Sequence, residues 1–85
     1  MRVCQMLCLS YLESKQGEEA EAAARRGLIL DDLSEELHCG LMEALLLQGL
    51  RAEALRHYRK TLHYFEQELS LYPRSFDSIF ERLVV

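Results

Sequence analysis

Apolar positions in this 85-residue chain recur at intervals of three and four, the period of helices packed on one face. A first helix is expected from about Arg2 to Lys15, with Val3, Met6, Leu7, Leu9 and Tyr11 forming its buried stripe. Gly17 is placed to end it, because glycine takes the left-handed backbone of a helix C-terminus at no steric cost. A second helix should run from about Glu18 to Leu30. Glu18, Glu19 and Glu21 suit the positive end of its dipole. Ala20, Ala22, Ala23 and Ala24 are good helix formers and small enough for close helix approach. Asp31-Asp32 breaks the run, and either Asp32 with Glu35, at capping-box spacing, or Ser34 starts the next helix.

That third helix is expected from about Ser34 to Gln48, with Leu37, Leu41, Ala44 and Leu45 recurring on one side and Gly49 at its end. The fourth, from about Arg51 to Leu69, divides cleanly at 100° per residue. Ala54, Leu55, Tyr58, Leu62, Phe65 and Leu69 fall in one arc, and Arg56, Arg59, Lys60 and His63 in another. Pro73 lacks the backbone donor needed to continue. Ser75 is placed to cap a short fifth helix, whose Phe76, Ile79, Phe80 and Leu83 form an apolar stripe that must cover something.

Two segments repeat. Gly17-Glu18-Glu19-Ala20-Glu21-Ala22 is echoed by Gly49-Leu50-Arg51-Ala52-Glu53-Ala54, at a spacing of 32. A glycine between apolar helical runs, occurring twice, predicts stacked helical hairpins. The expected fold is all-α: one domain over 1–85, with repeat 1 about 2–31, repeat 2 about 34–69 and a capping helix about 75–83.

The hairpins resemble the tetratricopeptide repeat. With Gly49 on that repeat's turn glycine, Leu41 and Met42 take the first helix's large and small positions, Ala54 the second helix's alanine and Tyr58 its aromatic. In the first repeat Gly17 and Ala22 are the matching positions, which leaves Arg26 where an aromatic is expected. The resemblance implies a right-handed α–α superhelix. It also implies a concave ligand groove lined by the first helix of each repeat. Carried over, the groove positions are Cys4, Leu7, Tyr11, Ser14 and Lys15, then Glu36, Cys39, Glu43, Leu46 and Leu47. Leu7, Tyr11, Lys15, Glu36, Glu43 and Leu47 are the candidate partner-binding residues.

A narrower likeness covers residues 20–83. The order Asp31-Asp32-Leu33-Ser34-Glu35-Glu36-Leu37-His38, Leu41-Met42, Ala54-Leu55-Arg56-His57-Tyr58, Glu68-Leu69, Pro73 and Phe80-Glu81-Arg82-Leu83 resembles the bacterial transcriptional activator domain of SARP-type regulators. That resemblance implies a non-catalytic interaction or oligomerisation module of a transcriptional regulator. Its partners would be a second copy, as a dimer, or other domains of the regulator. Nucleic acid would be contacted through a separate domain not present in this chain. A generic tetratricopeptide adaptor is the alternative, as is weak nucleic-acid contact through the Arg56, Arg59, Lys60, His63 stripe.

Charge bears on that last reading. Residues 1–50 carry four basic and nine acidic groups, and residues 51–85 six basic and five acidic, for a net charge of −4. An acidic whole disfavours phosphate binding by the entire surface, while the second half stays open to an acidic partner. The odd set Cys4, Cys8 and Cys39 has no disulfide framework and no Cys-x-x-Cys, which fits a reducing cytoplasmic setting and no metal. No run approaches the length of a membrane span. No phosphate loop, nucleophile elbow or histidine–carboxylate array is present, so neither catalysis nor a cofactor is expected.

Overall fold

A computed structural model describes residues 2–74 and 76–84. Five helices and no strand occur among them: α1 Arg2–Glu13, α2 Gly17–Leu30, α3 Glu35–Leu47, α4 Arg51–Glu68 and α5 Phe76–Val84. The chain is all-α, as the hydrophobic period requires. Ser34 wins the competition to start α3, its hydroxyl accepting from the Leu37 N–H at 3.3 Å. The expected cap of α5, Ser75, lies outside the described residues.

The turns after α1 and α3 follow a different register from the one the glycines suggest. Gly17 does not end α1; it is the first residue of α2. The left-handed residue after α1 is Lys15, at φ 60°, while Gly49 takes φ 77° after α3. Both helices close with the same pair of bonds. Gln16 N–H donates to Tyr11 C=O and Lys15 N–H to Leu12 C=O; Leu50 N–H donates to Leu45 C=O and Gly49 N–H to Leu46 C=O. These are Schellman motifs, in which the left-handed residue lets two orphan carbonyls find donors. Lys15 and Gly49 are therefore equivalent, at a spacing of 34, the tetratricopeptide period.

Burial agrees. Ala20 and Ala54, 34 apart, are both completely buried, whereas Ala22 is exposed. Cys8, Met42 and Phe76 follow the same step and all three are buried. The equivalent of Tyr58 is thus Ala24, not Arg26, and the first repeat has a small residue where the second has an aromatic one.

Gly17 has a different duty from Gly49. A Cβ on Gly17 would sit 3.1 Å from the Ala44 carbonyl oxygen and 3.2 Å from Leu47 Cβ, so the bare backbone allows α2 to start against the end of α3. Nothing lies within 4 Å of the same atom on Gly49, whose glycine serves the turn alone. Gln48 secures the crossing by donating from its amide to the Gly17 carbonyl at 3.3 Å and to Glu21 at 2.8 Å.

α1 also faces otherwise than its apolar pattern predicts. Cys8 is its buried centre, while Val3 (66%), Met6 (63%) and Leu9 (59%) are exposed and Tyr11 is half-buried. The physical reason is a close crossing: a Cβ on Gly40 of α3 would come 2.7 Å from Cys8 Sγ, so the small side chain, not the large ones, faces inward. At the other end α5 lies on α3 and α4. Phe76, Ile79 and Leu83 are buried there, with Phe76 beside Phe65 and Tyr58 at ring-centroid distances of 6.0 and 5.8 Å. Phe80, expected in the core, remains 40% exposed along the edge of Tyr58.

Candidate functional site

Three surfaces can be built from these elements. The first is the α1–α3 side, where a groove was expected. A hollow of about 120 Å³ lies there, lined by Gln5, Cys8, Leu9, Glu36, Leu37 and Gly40. Of the expected groove residues only Glu36 lines it. In the 34-residue register Glu43 matches Leu9 and Cys39 matches Gln5, so the α1 positions carried over at a spacing of 32 lie two residues out of step. Leu7 and Leu47 are each 38% exposed, Tyr11 packs half-buried against the core and Lys15 is exposed. Glu43 accepts from Arg82 of α5 at 2.9 Å. The Cys8 thiol is pushed up to about 11 by burial and by the Glu43 charge, so it is a packing atom rather than a nucleophile.

The second surface is the outer face of α4. Arg56, Arg59, Lys60 and His63 are all exposed there, as their shared arc requires. Lys60 is set apart from the other three because it also lines a cavity.

That cavity is the third surface, and no spacing along the chain points to it. The buried residues of α2 are Ala20, Ala23, Ala24 and Gly27, with Leu28 partly buried beside them, while those of α4 are Ala54, Tyr58, Thr61 and Phe65. α2 thus sinks close onto α1 and α3, and bulkier contacts hold α4 on the far side of α3. The two helices do not pack against each other. A cleft of about 530 Å³ opens between them. Leu28, Ile29, Leu41 and Tyr64 give it apolar surface, and Arg25 and Lys60 stand on opposite walls.

Its floor is a histidine pair. His38 Nε2 lies 2.7 Å from the Asp32 carbonyl oxygen, which can only accept, so the His38 proton sits on Nε2. His38 Nδ1 is then an acceptor, and the contact to His57 Nε2 at 2.9 Å requires His57 to donate. Thr61 Oγ1 lies 3.3 Å from the same His57 nitrogen. Burial, then the neighbouring His38, Arg25 and Lys60, hold His57 down to about 4; burial likewise lowers His38. Both rings are neutral near pH 7. The helical spacing of His38 and His57 showed no acid–base partner, because each histidine's partner is the other, across two helices.

Among the described residues no group of three histidine, cysteine or acidic side chains converges as metal ligands do. Among them, too, no helix is long and apolar enough to cross a membrane.

A family model described as bacterial transcriptional activator domain matches residues 1–76, most of the chain. No curated protein and no solved structure matches it.

Proposed function

We propose that this chain, which belongs to the bacterial transcriptional activator domain family, serves its regulator as a non-catalytic interaction module that docks through the outer face of α1. One observation carries the reading. α5 covers one end of the helical stack, whereas Val3, Met6 and Leu9 stand more than half exposed at the other. Three large apolar side chains on one helix face are costly to leave in water, and burying each recovers about 1.5–3 kcal/mol. Helical repeats bury such faces against the next helical layer. The layer is a second copy of the chain or another helical segment of the same regulator, working in the cytoplasm, and DNA contact belongs to a separate domain.

The self-associating form is tested first. Size-exclusion chromatography with light scattering should show a concentration-dependent dimer that Met6→Glu or Leu9→Glu disperses without loss of helicity. A chain that stays monomeric to about 1 mM, weaker than roughly 4 kcal/mol of association, removes the self-pairing version. The α4 stripe remains the route for any direct nucleic-acid contact, and a duplex titration over a salt series decides it. Binding that does not weaken with salt is not phosphate contact.

A further inference from the structure

The α2–α4 cleft is on another part of the molecule from the α1 face, and its chemistry is different. Its volume of about 530 Å³ lies inside the roughly 300–1,000 Å³ typical of small-molecule sites. Leu28 and Ile29 on α2 give it apolar surface, Leu41 of α3 lies almost wholly buried at its base, and Tyr64 adds a ring from α4. Ile29 is 83% exposed, an unusual place for a large aliphatic side chain with nothing over it.

Two cations line the cleft. Arg25 projects from α2 and Lys60 from α4. Glu21 engages Arg25 through Nε at 2.8 Å, and the guanidinium has further N–H donors on its terminal nitrogens. Lys60 has no carboxylate partner among the described residues. Asp32 is the one acidic residue in the lining, and its side chain is exposed at the mouth. Both cations line the same cleft as His57, one from each flanking helix. Thr61 and Tyr64 place hydroxyls on the α4 wall.

We propose that the α2–α4 cleft is a binding site for a small organic anion with a flat apolar body, its negative group set between Arg25 and Lys60 and its body lying on Leu28, Ile29 and Leu41. The two-sided cationic grip fixes orientation, because an anion displaced toward either wall loses one partner. The site lies between the two hairpins, and its histidine floor comes from the second. In the first, the equivalents of His38, His57 and Thr61 are Cys4, Ala23 and Gly27, and a Cβ on Gly27 would already lie 2.9 Å from Cys4 Cβ.

The probe is 2-naphthoate, with neutral 2-naphthamide as its uncharged counterpart, titrated into the full chain and followed by calorimetry and amide NMR. Naphthoate should saturate with shifts centred on His57, Lys60 and Thr61, and naphthamide should bind at least about tenfold more weakly. Lys60→Gln and Arg25→Gln should each cost about five- to tenfold, a single charge-assisted hydrogen bond in each case. Arg56→Gln, on the same helix but outside the cleft, should cost nothing. All three positions are exposed, so helicity checks that the variants fold. Equal affinity for the two compounds overturns the proposal, and so do undiminished binding by Lys60→Gln, shifts centred on α1, or no saturation by about 5 mM. A dimer that Lys60→Gln disperses, without naphthoate binding, makes the cleft a protein interface and equally overturns it.

Discussion

Acid should weaken this fold before its carboxylates titrate, and the His38–His57 pair is the reason. His57 titrates at about 4 in the folded chain, against an ordinary value of 6.5. Its folded form therefore binds fewer protons than its unfolded form below pH 6.5. Stability rises with pH across the window from 4 to 6.5 and is complete above it. Integrating that linkage from pH 7.5 to pH 5 gives about 2 kcal/mol for His57. The ring's half-buried position trims this to about 1–2 kcal/mol. His38 is lowered too and acts in the same direction. The groups facing the pair are Arg25 on α2, Asp31 and Asp32 in the α2–α3 connection, and Lys60 on α4; the two cations oppose a further positive charge. Against a total of roughly 5–10 kcal/mol for a domain of this size, the loss is easily read. Urea unfolding followed by circular dichroism, at half-unit steps from pH 5 to 7.5, measures it. His57→Gln keeps a donor for His38 Nδ1 but cannot titrate. It should cost about 1 kcal/mol at pH 7.5 and flatten the pH dependence. Parallel curves for the two proteins, or an NMR titration of His57 near its ordinary value, would refute the reasoning.

Five further substitutions test the architecture by the same unfolding assay. Ala20→Leu, at a fully buried helix contact, should cost about 2–3 kcal/mol, while Ala22→Leu on the exposed side should change stability by less than about 0.5 kcal/mol; the reverse order would restore the 32-residue register. Gly49→Ala should cost about 1 kcal/mol through its left-handed backbone alone, whereas Gly17→Ala should cost a similar amount by pushing against Ala44 and Leu47, so suppressor changes at Leu47 should rescue only the second. Phe76→Ala should remove about 3–4 kcal/mol and loosen amide protection along the α4 face beneath α5; unchanged protection there would mean that α5 does not cover it.

Helix existence was legible from spacing because each helix has a core face, and the Ala54, Tyr58, Phe65 arc of α4 is buried as its period requires. α1 was not legible in the same way. Its large residues lie outside and its small Cys8 inside, because the depth of a helix crossing depends on the residue opposite, here Gly40, which no pattern along α1 contains. The repeat spacing went astray at the most conspicuous residue. A left-handed residue after a helix suggests glycine, yet Lys15 holds that position at φ 60°. Long side chains bear αL strain of roughly 1 kcal/mol when the two Schellman bonds are made. Gly17 stood two residues away with a packing duty instead.

That two-residue correction also explains where chemistry can reside in the molecule. In register, one cluster of interior positions is small in the first hairpin and large in the second: Cys4, Ala23, Ala24 and Gly27 stand against His38, His57, Tyr58 and Thr61. The small set lets α2 settle deeply onto α1 and α3. The large set holds α4 away from α2 and leaves the cleft floored by two neutral imidazoles. That difference in side-chain volume thus produces the cavity in the middle of the molecule. Filling the first repeat tests the link directly. Gly27→Thr places the α4 residue at the α2 position, where its Cβ meets Leu37 at 2.7 Å and Cys4 at 2.9 Å. α2 must then rise off α1 and α3, so the variant should lose about 2–3 kcal/mol. Amide protection should fall along α1 and α2 while α4 and α5 keep theirs. A uniform fall over all five helices would show that the two repeats do not divide the work in this way.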